Sequence, residues 1–179
     1  MRSIVESIEG EFRRYKTLAE GAIGQLTDEQ LLLAGGSDSN SVATLVWHIS
    51  GNLVSRFTEF LTSDGEKPWR DRDAEFLARN VDRTELRQKW EHAWGVLFHT
   101  LADLDDERLH SMVKIRGVDF SVHEALHRSL AHTSYHVGQI VFLAKALRGG
   151  TWRYLSIPPG QSAAYNANPT GEKPPGAPR

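Results

Sequence analysis

The feature that most constrains the fold is the stretch Ser121–Leu147, which has the pattern of one long amphipathic helix. Ser121 and Glu124 form a capping box at its start, and Gly149 follows its end. At about 100° per residue its apolar side chains fall within one arc, while Glu124 and Lys145 lie on the opposite side. Such a helix buries one face against other elements, so we expect a chain built from packed helices.

The same stretch carries four of the chain's eight histidines, in two H-x-x-x-H pairs. His136 falls inside the apolar arc and His132 at its edge, whereas His123 and His127 lie away from that pair. Imidazoles four residues apart on one helix face stand close enough to bind a single metal ion. His132 and His136 are therefore a candidate ligand pair. Histidines hydrogen-bonded into a helical interior are the alternative for so short a pattern.

A third candidate lies on an upstream helix that we predict over Ser41–Leu61. His48 falls on the flank of that helix's apolar face, with Asn52 one turn later. A flank position suits a ligand that lines an open cavity, and it suits an ordinary boundary histidine equally well. The helical pattern alone leaves the role of His48 open.

Two further long helices are predicted, one over Arg2–Leu26 and one that opens at the cap residue Asp82. The polar segment Thr62–Asn80 joins the second and third long helices. A loop of that length is more often functional than accidental, although its charges also fit a solvated crossover. These elements predict an all-α four-helix bundle with a long crossover connection.

Two smaller features complete the predicted organisation. Met112–Phe120 alternates apolar and polar residues, which predicts a small hairpin or extended arm before the fourth helix. Six of the seven prolines follow Ile157. We expect a single metal-binding bundle domain over residues 1–167 and a disordered Pro-rich tail over residues 168–179.

Composition excludes several classes of function. The formal net charge of −2 lacks the basic footprint expected of a protein that binds nucleic acid or anionic membranes. The absence of cysteine removes disulfides, thiolate zinc sites and a cysteine nucleophile. No apolar run approaches the roughly 20 residues that span a bilayer, and the charged N-terminus is unlike a signal peptide. We therefore expect a soluble, cytoplasmic protein.

His48 on the second helix and the motif AHTSYHVGQI on the fourth resemble the DinB/YfiT-like superfamily of four-helix bundles, close to an uncharacterised bacterial branch. A little under half of the chain carries the resemblance, in three segments: Ser41–Phe76, Ile115–Lys145 and Leu155–Asn166. The resemblance implies a three-histidine site for one divalent metal ion, formed by His48, His132 and His136. It also implies a homodimer.

Three neutral imidazoles leave a divalent ion, here expected to be zinc or nickel, with a position for water or substrate. Asn52 and Gln139 are candidate acceptors for the second ring N–H of the ligands, although Gln139 also suits helix packing. Arg128 is a candidate for binding an anionic substrate group, with an exposed salt bridge as the alternative. No acidic residue stands out as a general base, so no side chain is assigned a catalytic role.

Characterised relatives within the resembling superfamily include transferases and isomerases that use low-molecular-weight thiols. Together with the open three-histidine site, this implies a metal-dependent enzyme in which metal-bound water or thiolate attacks a small electrophile. The reaction would be thiol S-transfer or hydrolysis, with a thiol as a cosubstrate in the first case. Two alternatives stay open: a metal-binding bundle with a stress-related or structural role, and a helical dimer with incidental histidines.

Overall fold

The structure is a computed structural model that describes residues 3–36 and 39–169. Four long helices dominate these ranges: α1 (Ile4–Ile23), α3 (Val42–Phe57), α4 (Arg83–Ala102) and α5 (Val122–Arg148). Two short helices are α2 (Asp28–Leu32) and α6 (Ser162–Ala167), and one antiparallel hairpin consists of β1 (Met112–Ile115) and β2 (Val118–Ser121). The described chain is mostly helical, which confirms the predicted all-α class. Most of the predicted tail, residues 170–179, lies outside the described residues.

Three of the long helices begin at the cap residues predicted from the sequence, and α1 begins at Ile4 rather than at Arg2. The capping side chains accept a hydrogen bond from the backbone N–H three residues later, and they are Ser3, Ser41, Asp82 and Ser121. The predicted ends were less accurate. Helix α3 stops at Phe57 rather than Leu61, because Thr58 is extended and Glu59 adopts a φ of 50°. Phe60 reaches the core from this turn, at 8% exposure, and not from a helix.

Helix α3 lies at the centre of the packing that positions the site, because it contacts both α4 and α5, while α1 packs along α5. The core between them is aromatic at its middle. Phe12 makes edge-to-face contacts with Phe57 and Trp94 at centroid distances of 6.4 and 6.3 Å, and all three rings are buried. This core packs α1, α3 and α4 together, and α3 also packs directly against α5, so the two helices that carry the candidate ligands are neighbours.

The segment Thr62–Asn80 folds back over α3 instead of crossing through solvent. Lys67 and Glu75 within it are buried, at 6% and 5% exposure, and the 3₁₀ turn Ala74–Phe76 packs on α3. The solvated-crossover interpretation therefore fails for the inner side of this loop, because charged side chains are buried only where partners compensate them.

The predicted hairpin or extended arm is a hairpin. Its two-residue turn has φ of 55° at Arg116 and 75° at Gly117, the pair of positive angles that a type I′ turn requires. Asp64 accepts hydrogen bonds from the backbone N–H of both turn residues, at 2.8 and 2.7 Å. The start of the long loop and the hairpin tip are thereby joined beside the candidate site.

Among the described helices, none combines the length and the apolar character needed to cross a membrane.

Candidate metal centre

Three histidines from two helices converge in the interior, with His48 on α3 and both His132 and His136 on α5. One ring nitrogen from each lies within 4.8 Å of the other two, and Nε2 of His48 is 3.1 Å from Nε2 of His132. A divalent ion about 2.0–2.1 Å from each imidazole nitrogen separates two tetrahedral ligands by roughly 3.3 Å. The spacing therefore fits one ion held by three imidazoles.

The two imidazoles on α5 are in the form that binds a metal. His48 and His136 are buried, at 2% and 8% exposure, and His132 is half-buried. Burial, followed by the neighbouring His136 and His48, lowers the pKa of His132 to about 3. Burial also lowers the pKa of His136. Neutral rings at neutral pH keep a lone pair for coordination, so an ion meets little competition from protons.

Hydrogen bonds on the far side of two rings leave Nε2 available in each. His48 donates from Nδ1 to Glu75 Oε2 at 2.8 Å, and His136 donates from Nδ1 to Gln139 Oε1 at 2.7 Å. An N–H on Nδ1 leaves the lone pair on Nε2, the nitrogen that points to the shared centre. Nδ1 of His132 is buried with no hydrogen-bond partner in the described part of the chain.

Glu75 is held in place by a buried ion pair. Arg70 donates to both of its oxygens, from Nε and Nη2, each at 2.8 Å, and the Arg70 side chain is 2% exposed. Burial alone would raise the pKa of Glu75, but the hydrogen bonds from Arg70 and His48 hold that pKa below its ordinary value. A charged carboxylate therefore orients His48 from behind.

A glycine on α3 makes room for this carboxylate. A Cβ added at Gly51 would lie 2.1 Å from Glu75 Oε1, well inside contact distance. The side chain of Glu75 thus approaches the helix backbone one turn after His48, where any other residue would block it.

Comparison with models of known protein families identifies the family to which the chain belongs. A family model described as "Protein of unknown function (DUF1572)" matches residues 1–161. The chain belongs to the DUF1572 family. No curated protein and no solved structure gives a significant match. The family description names no superfamily, so the likeness to DinB/YfiT-like bundles stays a resemblance.

Sequence reasoning missed Glu75 and Arg70 in this DUF1572 protein. Asn52 was the candidate acceptor for His48, yet the N–H of His48 is directed to Glu75. Asn52 is buried, at 7% exposure, and lies in the wall of a cavity beside His48. The only signal for Glu75 was that it falls in a long polar loop, and no local pattern singles it out there.

The remaining residues of interest lie around this centre. Arg128 lines the same cavity, of about 210 Å³, and its guanidinium carbon is 5.8 Å from the Phe120 ring centroid. Within the described ranges it forms no ion pair, so the salt-bridge alternative does not apply to this structure. His123 and His127 are exposed and contact each other edge to face, with ring centroids 4.3 Å apart, and neither belongs to the three-histidine group, as the helical pattern predicts.

Proposed function

We propose that this DUF1572 protein is a metal-dependent enzyme with one divalent ion, zinc or nickel, bound by His48, His132 and His136. The observation that carries the proposal is the convergence of three imidazoles, two of which, those of His48 and His132, line a cavity. Among the described residues the group comprises three ligands, and no fourth His or carboxylate joins it. A three-ligand site beside a cavity supports catalysis over a purely structural role.

The reaction class follows from the chemistry of such a site. When bound there, a divalent ion supplies a Lewis acid that activates water or a low-molecular-weight thiol toward a small electrophile. The protein's own contribution is orientation: Glu75 holds His48, Gln139 holds His136, and Asn52 and Arg128 line the space for the reactants. The proposal is hydrolysis or thiol S-transfer, with no side chain assigned as general base.

Three structural proposals accompany this function. The four long helices form one DinB/YfiT-like bundle domain over residues 1–167, with the segment after α3 as its crossover. The protein is cytoplasmic. It is also a homodimer, which sedimentation at micromolar concentration would distinguish from a 20.1 kDa monomer.

The sequence offers Trp47 and Val54, apolar residues on the second long helix, as a surface for that dimer. Trp47 and Val54 are off the core-facing arc of α3, but both pack against the core, and Arg79 and Lys89 cover the Trp47 ring at 4.2 and 4.3 Å. The exposed apolar residues on α5 are Tyr135 and Phe142, at 63% and 77% exposure. A face of α5 replaces α3 in the proposal.

The test is metal content per chain after purification without an affinity tag. We expect one divalent ion in the wild type and in His123→Ala, and none in His48→Ala or His132→Ala. His123 is the matched control because it is an exposed histidine on the same helix as His132. Absence of metal from the wild type, even after reloading with zinc or nickel, would overturn the proposal. Equal loss in all three variants would contradict the ligand assignment.

A further inference from the structure

The cavity beside the candidate metal centre has an unusual charge. Five arginines line it together with His48 and His132, and they are Arg56, Arg70, Arg72, Arg116 and Arg128. No carboxylate belongs to the lining in the described ranges. The chain as a whole has a formal net charge of −2, so this concentration of positive charge is local and is not a consequence of composition.

Three of the five arginines already have carboxylate partners. Glu66 lies 3.1 Å from Arg56 and 3.1 Å from Arg116, and Glu75 binds Arg70. Glu66 and Glu75 approach from outside the cavity, because neither lines it. These three guanidinium groups form the fixed wall of the site.

The positive charges of the other two arginines, Arg72 and Arg128, are not neutralised by a buried carboxylate among the described residues. Among the described residues, the one carboxylate within ion-pair distance of Arg72 is Asp73, at 3.7 Å; the Asp73 side chain is 98% exposed, so the attraction is largely screened by water. Arg128 is exposed and has no carboxylate within ion-pair distance among the described residues. Each guanidinium lies over an aromatic ring, Arg72 over Phe76 at 5.1 Å and Arg128 over Phe120 at 5.8 Å. The aromatic ring fixes the position of each guanidinium plane, and the N–H groups at the edge of the guanidinium stay free to donate to an acceptor.

Polar atoms in the same wall also lack acceptors. Nη1 of Arg70 and Oγ of Ser129 are buried with no hydrogen-bond partner in the described chain, although both residues line the cavity. The Arg70 side chain is 2% exposed, and its Nη1 is 3.7 Å from the nearest oxygen of Glu66, beyond hydrogen-bond distance. Buried donors without partners are costly, so acceptor atoms supplied by a ligand in this cavity would offset that cost.

We propose that this cavity binds a small organic anion whose carboxylate or phosphate group is held by Arg72 and Arg128, with the rest of the molecule directed toward His48 and His132. Planar guanidinium groups pair bidentately with both kinds of anion, which is why the two share one site. The volume of about 210 Å³ is the share of roughly seven water molecules in the liquid, which admits a small metabolite and excludes a polymer. As a statement about substrate class, this inference rests on the proposed enzymatic function.

The binding test uses inorganic phosphate and succinate as probes, titrated calorimetrically into the full chain at low ionic strength. We expect saturable binding of at least one probe at one site per chain. Arg72→Gln and Arg128→Gln should each weaken it about tenfold or more, or about 1.4 kcal/mol, and the double variant should abolish it. Arg108→Gln is the matched control, because Arg108 is exposed and does not line the cavity. The stronger probe identifies the anionic group as carboxylate or phosphate.

Two results would overturn the inference: no saturable binding of either probe to the wild type, or equal affinities in the wild type and the double variant. Each titration is run on chelator-treated and metal-loaded protein, with metal content measured on the same samples. Arginine-dependent binding without any metal uptake would sustain the anion site and refute the proposed metal centre. One metal ion per chain without anion binding would support the metal centre and refute the anion site. Thermal unfolding of each variant verifies that it is folded.

Discussion

At the scale of single residues, the candidate centre depends on the pair of Glu75 and Arg70 as much as on its three ligands. The carboxylate of Glu75 fixes the ring of His48 by accepting from Nδ1, and Arg70 keeps that carboxylate charged in a buried place. An acceptor behind a ligating histidine sets its tautomer and raises its basicity. Glu75 is therefore a positioning residue that acts through His48.

Replacement of Glu75 by glutamine tests this role. We expect Glu75→Gln to lower metal affinity by about 10- to 100-fold, because a neutral amide orients His48 less firmly. The free energy of unfolding should also fall by about 1–3 kcal/mol, because Arg70 loses its charged partner. Competition titration with a chelator measures the first effect, and denaturant unfolding measures the second. Asp73→Asn is the control: it removes an exposed carboxylate two positions from Glu75 and should change neither the metal affinity nor the free energy of unfolding. Metal affinity within twofold of the wild type would refute the role of Glu75.

At the scale of elements, function depends on how closely the long loop lies along α3. Ser55 on α3 donates to the carbonyl of Gly65 at 2.7 Å and accepts from the N–H of Lys67 at 3.2 Å, which fastens the first part of the loop. Gly51, one turn earlier, admits the carboxylate of Glu75 from its later part. The loop thus delivers a charged side chain to the ligand helix because both contact points on α3 are shaped for it.

Adding one methyl group at Gly51 tests the close approach. Alanine favours a helix interior by about 1 kcal/mol over glycine, so propensity alone predicts a stabilised protein. We expect the opposite result for function: Gly51→Ala displaces Glu75 and weakens metal binding to a similar extent as Glu75→Gln.

Gly95→Ala provides the matched control. Gly95 lies on α4, and a Cβ built there would meet no atom of the described residues within 4 Å. It should raise the free energy of unfolding by about 0.5–1 kcal/mol and leave metal affinity unchanged. If Gly51→Ala kept the metal affinity of the wild type, the loop would have accommodated the added methyl group, and the close approach of Glu75 to Gly51 would be unimportant for metal binding.

At the scale of the whole molecule, the three histidines bring α3 and α5 together, and one of them, His132, makes stability depend on pH. The pKa of His132 is lowered to about 3 in the folded chain, against roughly 6.5 for an unperturbed histidine. Between those values the unfolded chain binds a proton that the folded chain does not. Stability from this residue is therefore complete above about pH 6.5 and declines as the pH falls toward 3.

This dependence is measurable on metal-free protein. We expect its melting temperature to fall between pH 7 and pH 5, and to fall less steeply in His132→Gln, which has no proton to gain. His99→Gln serves as the control, because His99 is 83% exposed and distant from the centre. An unchanged melting temperature over this range, or equal slopes in the wild type and His132→Gln, would contradict the lowered pKa.

The sequence by itself determined the features that depend on neighbours along the chain. Each long helix starts at a capping side chain, and a cap is a contact between residues three positions apart. The assignment of His136 to the buried face and the separation of His123 and His127 from the ligand pair followed from the helical repeat, which is a local property. Helix ends were less determined, since Phe60 gains its burial from tertiary packing and not from a continued helix.

Only the tertiary structure decided how these elements meet. The face of α3 on which His48 lies was equally consistent with an ordinary boundary residue, and the place of His48 among the ligands depends on the packing of α3 against α5. Glu75, Arg70 and Arg72 come from a loop with no repeating backbone geometry, so no periodicity predicts where their side chains lie. Their positions follow from long-range packing and from the compensation of buried charge, neither of which is written in local spacing.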